Sequence, residues 1–393
     1  MLTALLNARV LTPDEELAGA TVVIRHGRIE AVGVGLTPPA GAQTFDLSGL
    51  TLAPGFVDIH VHGGGGFSLI SEDPDEIRSY ARWAVRRGVT GFLVTLVGAP
   101  LPQMKRWLAA AVAAGESLPA GQEGVDGSAR PLGVHLEGPF VNPARRGALP
   151  SEGLRPPDVA EFLALAEAAQ GSLKVITLAP ELPGAAGIVA AARQRGVVAS
   201  MGHTDATYEQ ALEAIEWGVR QATHCFNGMR PFHHRDPGCL GAILSSPKLS
   251  AELIADGVHV HPGAMALLLA AKGPQGTILI TDGIAAAGLG DGAYSLAGEA
   301  IQVRNGVASL PDGTLAGSVV TMDQAVRNVV SAWGGALVPL AGAVRMASSN
   351  PAAALGLGQR LGRIAPGFAA DLVALDERLE VAMTLVAGQP AYG

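Results

Sequence analysis

GFVDIHVHGGGG, residues 55–66, places His60 and His62 one residue apart at the end of an apolar run, with four glycines directly behind them. The run reads as a buried strand. Residues i and i+2 of a strand face the same side, roughly 7 Å apart, so both imidazoles can reach one cation. The glycines leave room for metal, water and substrate, and they permit tight turns.

Seven further apolar runs of β type follow: GFLVTLV (91–97), LGVHLE (132–137), LKVITLA (173–179), VVASMGH (197–203), QATHCF (221–226), AELIAD (251–256) and TILITD (277–282). Amphipathic, Ala-rich helical stretches separate most of them, such as DEIRSYARWAVRRG (75–88) and VAEFLALAEAAQG (159–171). Eight buried strands alternating with helices predict an α/β fold, a (β/α)8 TIM-like barrel. The chain ends differ. ATVVIRHGRIEAVG reads as two strands turning at His26-Gly27, and GRIAPGFAADLVALD and LEVAMTLVAGQP read similarly. They predict a small β-sandwich domain formed by both termini, residues 1–52 plus 351–393, beside a barrel catalytic domain over 53–350.

Composition narrows the class. The 393 residues are 48% hydrophobic, 16% charged and 4% aromatic, enough for a large core packed with small side chains. The net charge of −8, without a basic run, argues against a nucleic-acid surface. Gly and Pro break the uncharged stretches, so none reads as a membrane span. The N-terminal stretch lacks signal-peptide features, and two cysteines, Cys225 and Cys239, build no disulfide framework. Both read as packing residues, and the expected compartment is the cytoplasm.

Polar residues collect where the runs end: His60 and His62 on the first, Glu137 on the third, His203 on the fifth, His224 on the sixth, His259 past the seventh, Asp282 on the eighth. In such a barrel the C-terminal strand ends converge on one mouth. A lone strand histidine is ordinarily a hydrogen-bonded core residue, and Asp-Gly ordinarily marks a turn. A rim gathering four histidines and two carboxylates calls for something cationic. Imidazole and carboxylate without thiolate suit Zn²⁺, with Fe²⁺, Co²⁺ or Mn²⁺ as alternatives. Glu137, His203 and His224 make a three-ligand site with an open position. His60 and His62 either complete a second site bridged by Glu137 or tune the first, giving one or two ions per chain. Asp282 is placed for general base and acid work. Lys174 lies near the start of its strand, away from the mouth, and is not read as a carbamylated bridge.

The frame APGFVDIHVHG, the β-domain from both ends and GRIAPGFAADLV resemble the amidohydrolase superfamily. More narrowly, HLEGPFVNPARRGA, TLAPE, GHTDATY, THCFNGM, IADGVHV, ITDGI and LAGSVVTMDQAVRN resemble its N-acetylglucosamine-6-phosphate deacetylases, in the same order nearly end to end. The resemblance implies hydrolysis of the acetamide of N-acetylglucosamine 6-phosphate to glucosamine 6-phosphate and acetate, in amino-sugar catabolism and cell-wall sugar recycling. It implies Glu137, His203 and His224 as metal ligands and Asp282 as the acid/base. It further implies substrate contacts from Ala148, Asn227, Gly228 and His259, and from the loop Leu315, Ala316 and Gly317. Arg235 matches a phosphate-binding arginine that reaches across a homodimer interface. Relatives with the HxH pair hold two metals and those without it hold one. The chain departs from the family at Leu149, where many relatives carry a substrate-contacting histidine.

Two rival readings remain. One is a related amidohydrolase acting on a different N-acetylated sugar phosphate or an N-acyl amino acid, for which Arg235 and His259 have no evident use in the amino-acid case. The other is a barrel that has lost catalysis and serves as a scaffold, which predicts eroded ligands. Every candidate ligand is present.

Overall fold

The structure, a computed structural model, describes residues 2–116, 127–331 and 338–393. Its barrel sheet contains eight strands: β1 (Phe56–Asp58), β2 (Val89–Val97), β3 (Arg130–Glu137), β4 (Leu173–Leu178), β5 (Val198–Met201), β6 (Gln221–Ala222), β7 (Ser250–Ile254) and β8 (Thr277–Ile280). They lie side by side in sequence order, every neighbouring pair parallel. Each expected run supplies one strand. The strands are apolar on both faces because the sheet is covered inside and out, as in β2, where all nine residues are buried. Helices follow the strands: α1 (Pro74–Ala84), α2 (Leu101–Glu116), α3 (Val159–Ala168), α4 (Ala185–Gln194), α5 (Tyr208–Trp217), α6 (Gly238–Ser245), α7 (Pro262–Gly276) and α8 (Met322–Ser331). Their starts are encoded locally. Asp73 accepts from the Asp75 amide ahead of Pro74, and Thr207 with Gln210 forms a capping box on α5.

β1 and β8 are not joined by a ladder. A buried carboxylate closes the circuit instead: Asp58 Oδ2 accepts from Thr281 Oγ1 at 2.6 Å, and its Oδ1 from the Thr281 amide at 3.3 Å. Beyond the strands, the Asp282 amide donates to the His60 carbonyl at 2.9 Å and the His62 amide to the Gly283 carbonyl at 2.7 Å. Burial pushes the Asp58 carboxyl up to about 7, against the bonds from Thr281 and the His60 amide.

The terminal segments form a second eight-stranded sheet, in which Leu372–Leu375 pairs with Thr51–Pro54 and so joins the two ends of the chain. The expected hairpin is Glu16–Arg25 with Arg28–Val34, turning at His26 and Gly27. Ile29 and Leu385, near opposite ends of the strand path, share one apolar cluster, so the sheet curls over itself. It rests against the N-terminal ends of the barrel strands. Arg130, which opens β3, forms a buried ion pair with Asp371, and Thr384 Oγ1 donates to the Val85 carbonyl at 2.8 Å. The opposite end, the mouth, stays free for a site.

Two features depart from expectation. The glycines of residues 63–66 do not open space for a ligand. A Cβ on Gly64 or Gly65 would stand 2.3 Å and 2.5 Å from the Trp83 ring, so these glycines admit the indole of α1 against a short hairpin. A small three-stranded sheet, Gly292–Leu296, Glu299–Arg304 and Val307–Ser309, lies between β8 and α8, over its own apolar cluster.

Candidate metal centre and pocket

Glu137 is the last residue of β3, and the other acid and imidazole candidates sit just past their strands. His60 and His62 follow β1, which ends at Asp58; His203 follows β5, His224 follows β6 and Asp282 follows β8. Three of them occupy left-handed backbone: His203 at φ 48°, His224 at φ 29° and Asp282 at φ 49°. Such a conformation is unfavourable by roughly 1–3 kcal/mol for a residue with a side chain, and it clusters at functional sites. Leaving the ladder turns each side chain from the barrel wall toward its axis.

All six converge. Glu137 Oε1 lies 2.9 Å from His203 Nε2, 3.0 Å from His224 Nε2 and 3.4 Å from His60 Nε2, while Oε2 lies 3.3 Å from His62 Nε2. Asp282 Oδ1 is 3.2 Å from His62 Nε2 and 3.5 Å from His60 Nε2. The outward nitrogens of three rings face acceptors: His60 Nδ1 meets Glu252 Oε2 at 3.0 Å, His62 Nδ1 the Thr95 carbonyl at 3.2 Å and His203 Nδ1 the Arg145 carbonyl at 2.9 Å. An acceptor there requires N–H at Nδ1, which leaves a lone pair on Nε2 of each neutral ring.

The lone pairs of His60, His62 and His203 point at carboxylate oxygens, and that of His203 also meets His224 Nε2. His203 and His224 Nε2 are 3.0 Å apart, and His60 Nε2 has no hydrogen-bond partner although wholly buried. Only positive charge reconciles this crowd: protons on the rings, or a cation in their midst. Burial works against charge on His60 and His62, yet the surrounding acids prevail. Glu137, Glu252 and Asp282 hold His60 well above the usual range, and bonds to Asp282 and Glu137 lift His62 to about 9. Burial likewise opposes charge on the acids, yet the His60 charge and the facing imidazoles hold Glu137 well below its usual range and Asp282 at about 2. Among the described residues, two groups satisfy the spacing of a cation site, His60–Glu137–His224 and His60–His62–Asp282. The donor set therefore fits a divalent cation bound by nitrogen and oxygen.

A cavity of about 310 Å³ opens above this cluster. His62, Glu137, His203, His224 and Asp282 line its floor. Of the expected substrate contacts, Ala148, Asn227, Gly228, His259, Leu315 and Gly317 line its walls. Ala316 is wholly buried in the small cluster behind them. Arg235 does not reach this cavity: it is exposed on the loop after β6, with Nη1 2.8 Å from His234 Nε2. Leu149, with Pro150, Leu296 and Leu315, makes one wall apolar.

Sequence reading missed Asp256 and Leu296. Asp256 Oδ2 holds His259 Nδ1 at 2.7 Å while its Oδ1 accepts the Val258 and His259 amides. Burial opposes charge on this ring, but Asp256 keeps its pKa above the usual value. The spacing Asp-Gly-Val-His is a signal for such a pair. Leu296 comes from the inserted sheet, whose only cues are the turns at Ala297-Gly298 and Asn305-Gly306.

The profile described as "Amidohydrolase family" matches residues 51–391. The chain belongs to the amidohydrolase family. This amidohydrolase is 38% identical over 391 residues to the N-acetylgalactosamine-6-phosphate deacetylase of Escherichia coli O157:H7, covering 99% of this chain and all of that relative. It is 35% identical over 384 residues to the N-acetylglucosamine-6-phosphate deacetylase of Bacillus subtilis, covering 98% and 95% of the two chains. Among solved structures, a mutant N-acetyl-D-glucosamine-6-phosphate deacetylase of Mycobacterium smegmatis, in complex with N-acetyl-D-glucosamine-6-phosphate, superposes with a TM-score of 0.91 at 37% identity over the full length of both. No helix among the described residues is long and apolar enough to cross a membrane.

Proposed function

We propose that this amidohydrolase removes the acetyl group from N-acetylglucosamine 6-phosphate, releasing glucosamine 6-phosphate and acetate. The observation that carries the reading is Asp282 standing beside the Glu137–His203–His224 cluster at the floor of one cavity. Relatives at 39% and 35% identity are named N-acetylglucosamine-6-phosphate deacetylases.

Glu137, His203 and His224 would hold one divalent cation, Zn²⁺ by preference, and His60 and His62 would hold or share a second. Such a cation polarises an amide carbonyl and acidifies water. Asp282, ionised at neutral pH, takes the proton of the attacking water and passes it to the departing nitrogen. The C–N bond breaks, the water oxygen joins the acetyl carbon, and the proton balance closes on the amine. His259, braced by Asp256, binds a substrate oxygen from the wall. Asn227 and Gly228, with the backbone of Leu315, Ala316 and Gly317, line the sugar beside Ala148. Arg235, remote from the cavity of its own chain, serves the phosphate of the neighbouring subunit in a homodimer. The free, buried thiols of Cys225 and Cys239 suit a cytoplasmic protein. We take the chain as two units, 1–52 with 351–393 and 53–350, the smaller bracing the barrel from below.

N-acetylgalactosamine 6-phosphate is the second reading. It is favoured by the relative of that name, which matches over 99% of this chain. The test is acetate release from both sugar phosphates by the zinc-loaded enzyme, compared as kcat/KM. A preference for the gluco epimer is expected. A folded, metal-loaded chain that releases acetate from neither would sink both readings.

A further inference from the structure

Strand β7 carries an acid that the chemistry above does not use. Glu252 is wholly buried. Its Oε1 accepts from Gln221 Nε2 at 2.6 Å, and its Oε2 accepts from the His224 amide at 3.0 Å and faces His60 Nδ1 at 3.0 Å. None of these partners is lysine or arginine. Burying a carboxylate is unfavourable by several kcal/mol unless its surroundings compensate. Here the compensation comes from one ring and one amide that both belong to the candidate metal ligands. A carboxylate can only accept, so Nδ1 of His60 must carry hydrogen, and the inward Nε2 is left as a donor atom toward Glu137 and Asp282. The same oxygen that orients His60 also grips the His224 amide. One side chain therefore ties together the segments that follow β1 and β6.

We propose that Glu252 is the positioning residue that makes His60 a metal ligand, locking the ring with Nε2 turned into the site and so setting the affinity of the ion held by His60, His62 and Asp282. The inference rests on the reading that divalent cations bind at this cluster. Glu252 touches neither substrate nor the reacting atoms, and its effect on the ion is exerted through the His60 ring. Substitution by glutamine keeps the volume but puts an amide nitrogen where one acceptor oxygen stood, so either His60 or its neighbours lose their partner.

The test is a zinc titration in competition with a chelator, on the full-length wild type, Glu252→Gln, His60→Gln and the double variant. The expected result is two zinc ions on the wild type. Glu252→Gln should weaken the looser one by roughly 10–100-fold, with the tighter one unchanged. The double variant should bind zinc as His60→Gln alone does, because a residue acting through His60 has nothing left to act on. Wild-type zinc affinities in Glu252→Gln would overturn the proposal, as would losses that simply add in the double variant. So would a wild type that takes up one zinc indifferent to His60→Gln. Should Glu252→Gln fail to fold, Glu252→Asp carries the same expectation, since it keeps the charge and withdraws the oxygen by one methylene. Acetate release is followed in parallel. A wild type that binds zinc as described but leaves both sugar phosphates intact would defeat the functional reading and leave the zinc result standing.

Discussion

Asp282 is held from three sides: its amide donates to the His60 carbonyl, its carbonyl accepts the Ser318 amide, and its carboxylate faces His60 and His62. Asp282→Asn keeps the shape and removes the base. Turnover is expected to fall by roughly 10²–10⁴-fold, with zinc still held by Glu137, His203 and His224. Activity within tenfold of wild type would reassign the proton to another group. The imidazoles make a second prediction. His62 has its pKa raised to about 9 by Asp282 and Glu137 despite burial, so the metal-free ring is protonated at neutral pH. Zinc uptake at pH 7 should then release protons, read as a dependence of the binding heat on the buffer's ionisation enthalpy. The sign also holds for stability. The metal-free chain gains in full from charged His62 below its unfolded value of 6.5 and loses that gain as pH rises through about 9. Urea midpoints of the metal-free protein that do not fall between pH 7 and 10 would count against this balance.

At the level of elements, the turns that leave the strands matter more than the strands. Gly228, at φ 58° in the turn after β6, leaves room for the His203 ring: a Cβ there would lie 2.9 Å from His203 Nδ1 and 3.2 Å from the Arg145 carbonyl. Gly228→Ala should destabilise by about 1–2 kcal/mol from the backbone alone. It should also weaken zinc binding, which a purely conformational penalty would leave untouched; unchanged zinc affinity would place the ring elsewhere. The eight runs were legible in the sequence because a sheet covered on both faces must be apolar throughout. Their ends were not. QATHCF suggested a strand through residue 226, whereas β6 stops at Ala222, because His224 takes left-handed backbone and gives its amide to the Glu252 carboxylate instead of a ladder. That His60, His62, Glu137, His203, His224 and Asp282 would gather at one mouth was readable from residue type and place at the strand ends. The acids behind them, Glu252 and Asp256, looked like ordinary polar positions, since nothing local shows which ring an acid will meet. The glycine tract misled because its demand comes from Trp83, a residue of another element.

Across the whole molecule, Arg235 poses the sharpest question, being exposed and absent from its own cavity. Arg235→Ala should raise KM for the phosphorylated sugar far more than for N-acetylglucosamine. Mixing Arg235→Ala with Asp282→Asn chains should restore part of the activity if the arginine serves a neighbour, because hybrid dimers then hold one intact site. No recovery on mixing, under conditions where subunits exchange, would place the arginine's action within its own chain. The join between β1 and β8 belongs to this scale too. Thr281→Val removes the hydroxyl held by Asp58, and loss of a buried partner of this kind is unfavourable by about 1–3 kcal/mol. The deficit should be larger at pH 8 than at pH 6, since Asp58 is ionised above about 7 and the hydroxyl stabilises the ionised form. Equal deficits at both values would mean the carboxyl keeps its proton.

A hoop with a single seam that no ladder closes opens at that seam. Asp282 directly follows Thr281 at that seam, so the first thermal breath of the ring swings the acid away from His60 and His62 while the distant helices stay wound. Heat should therefore silence the enzyme reversibly, at temperatures where its circular dichroism still looks intact.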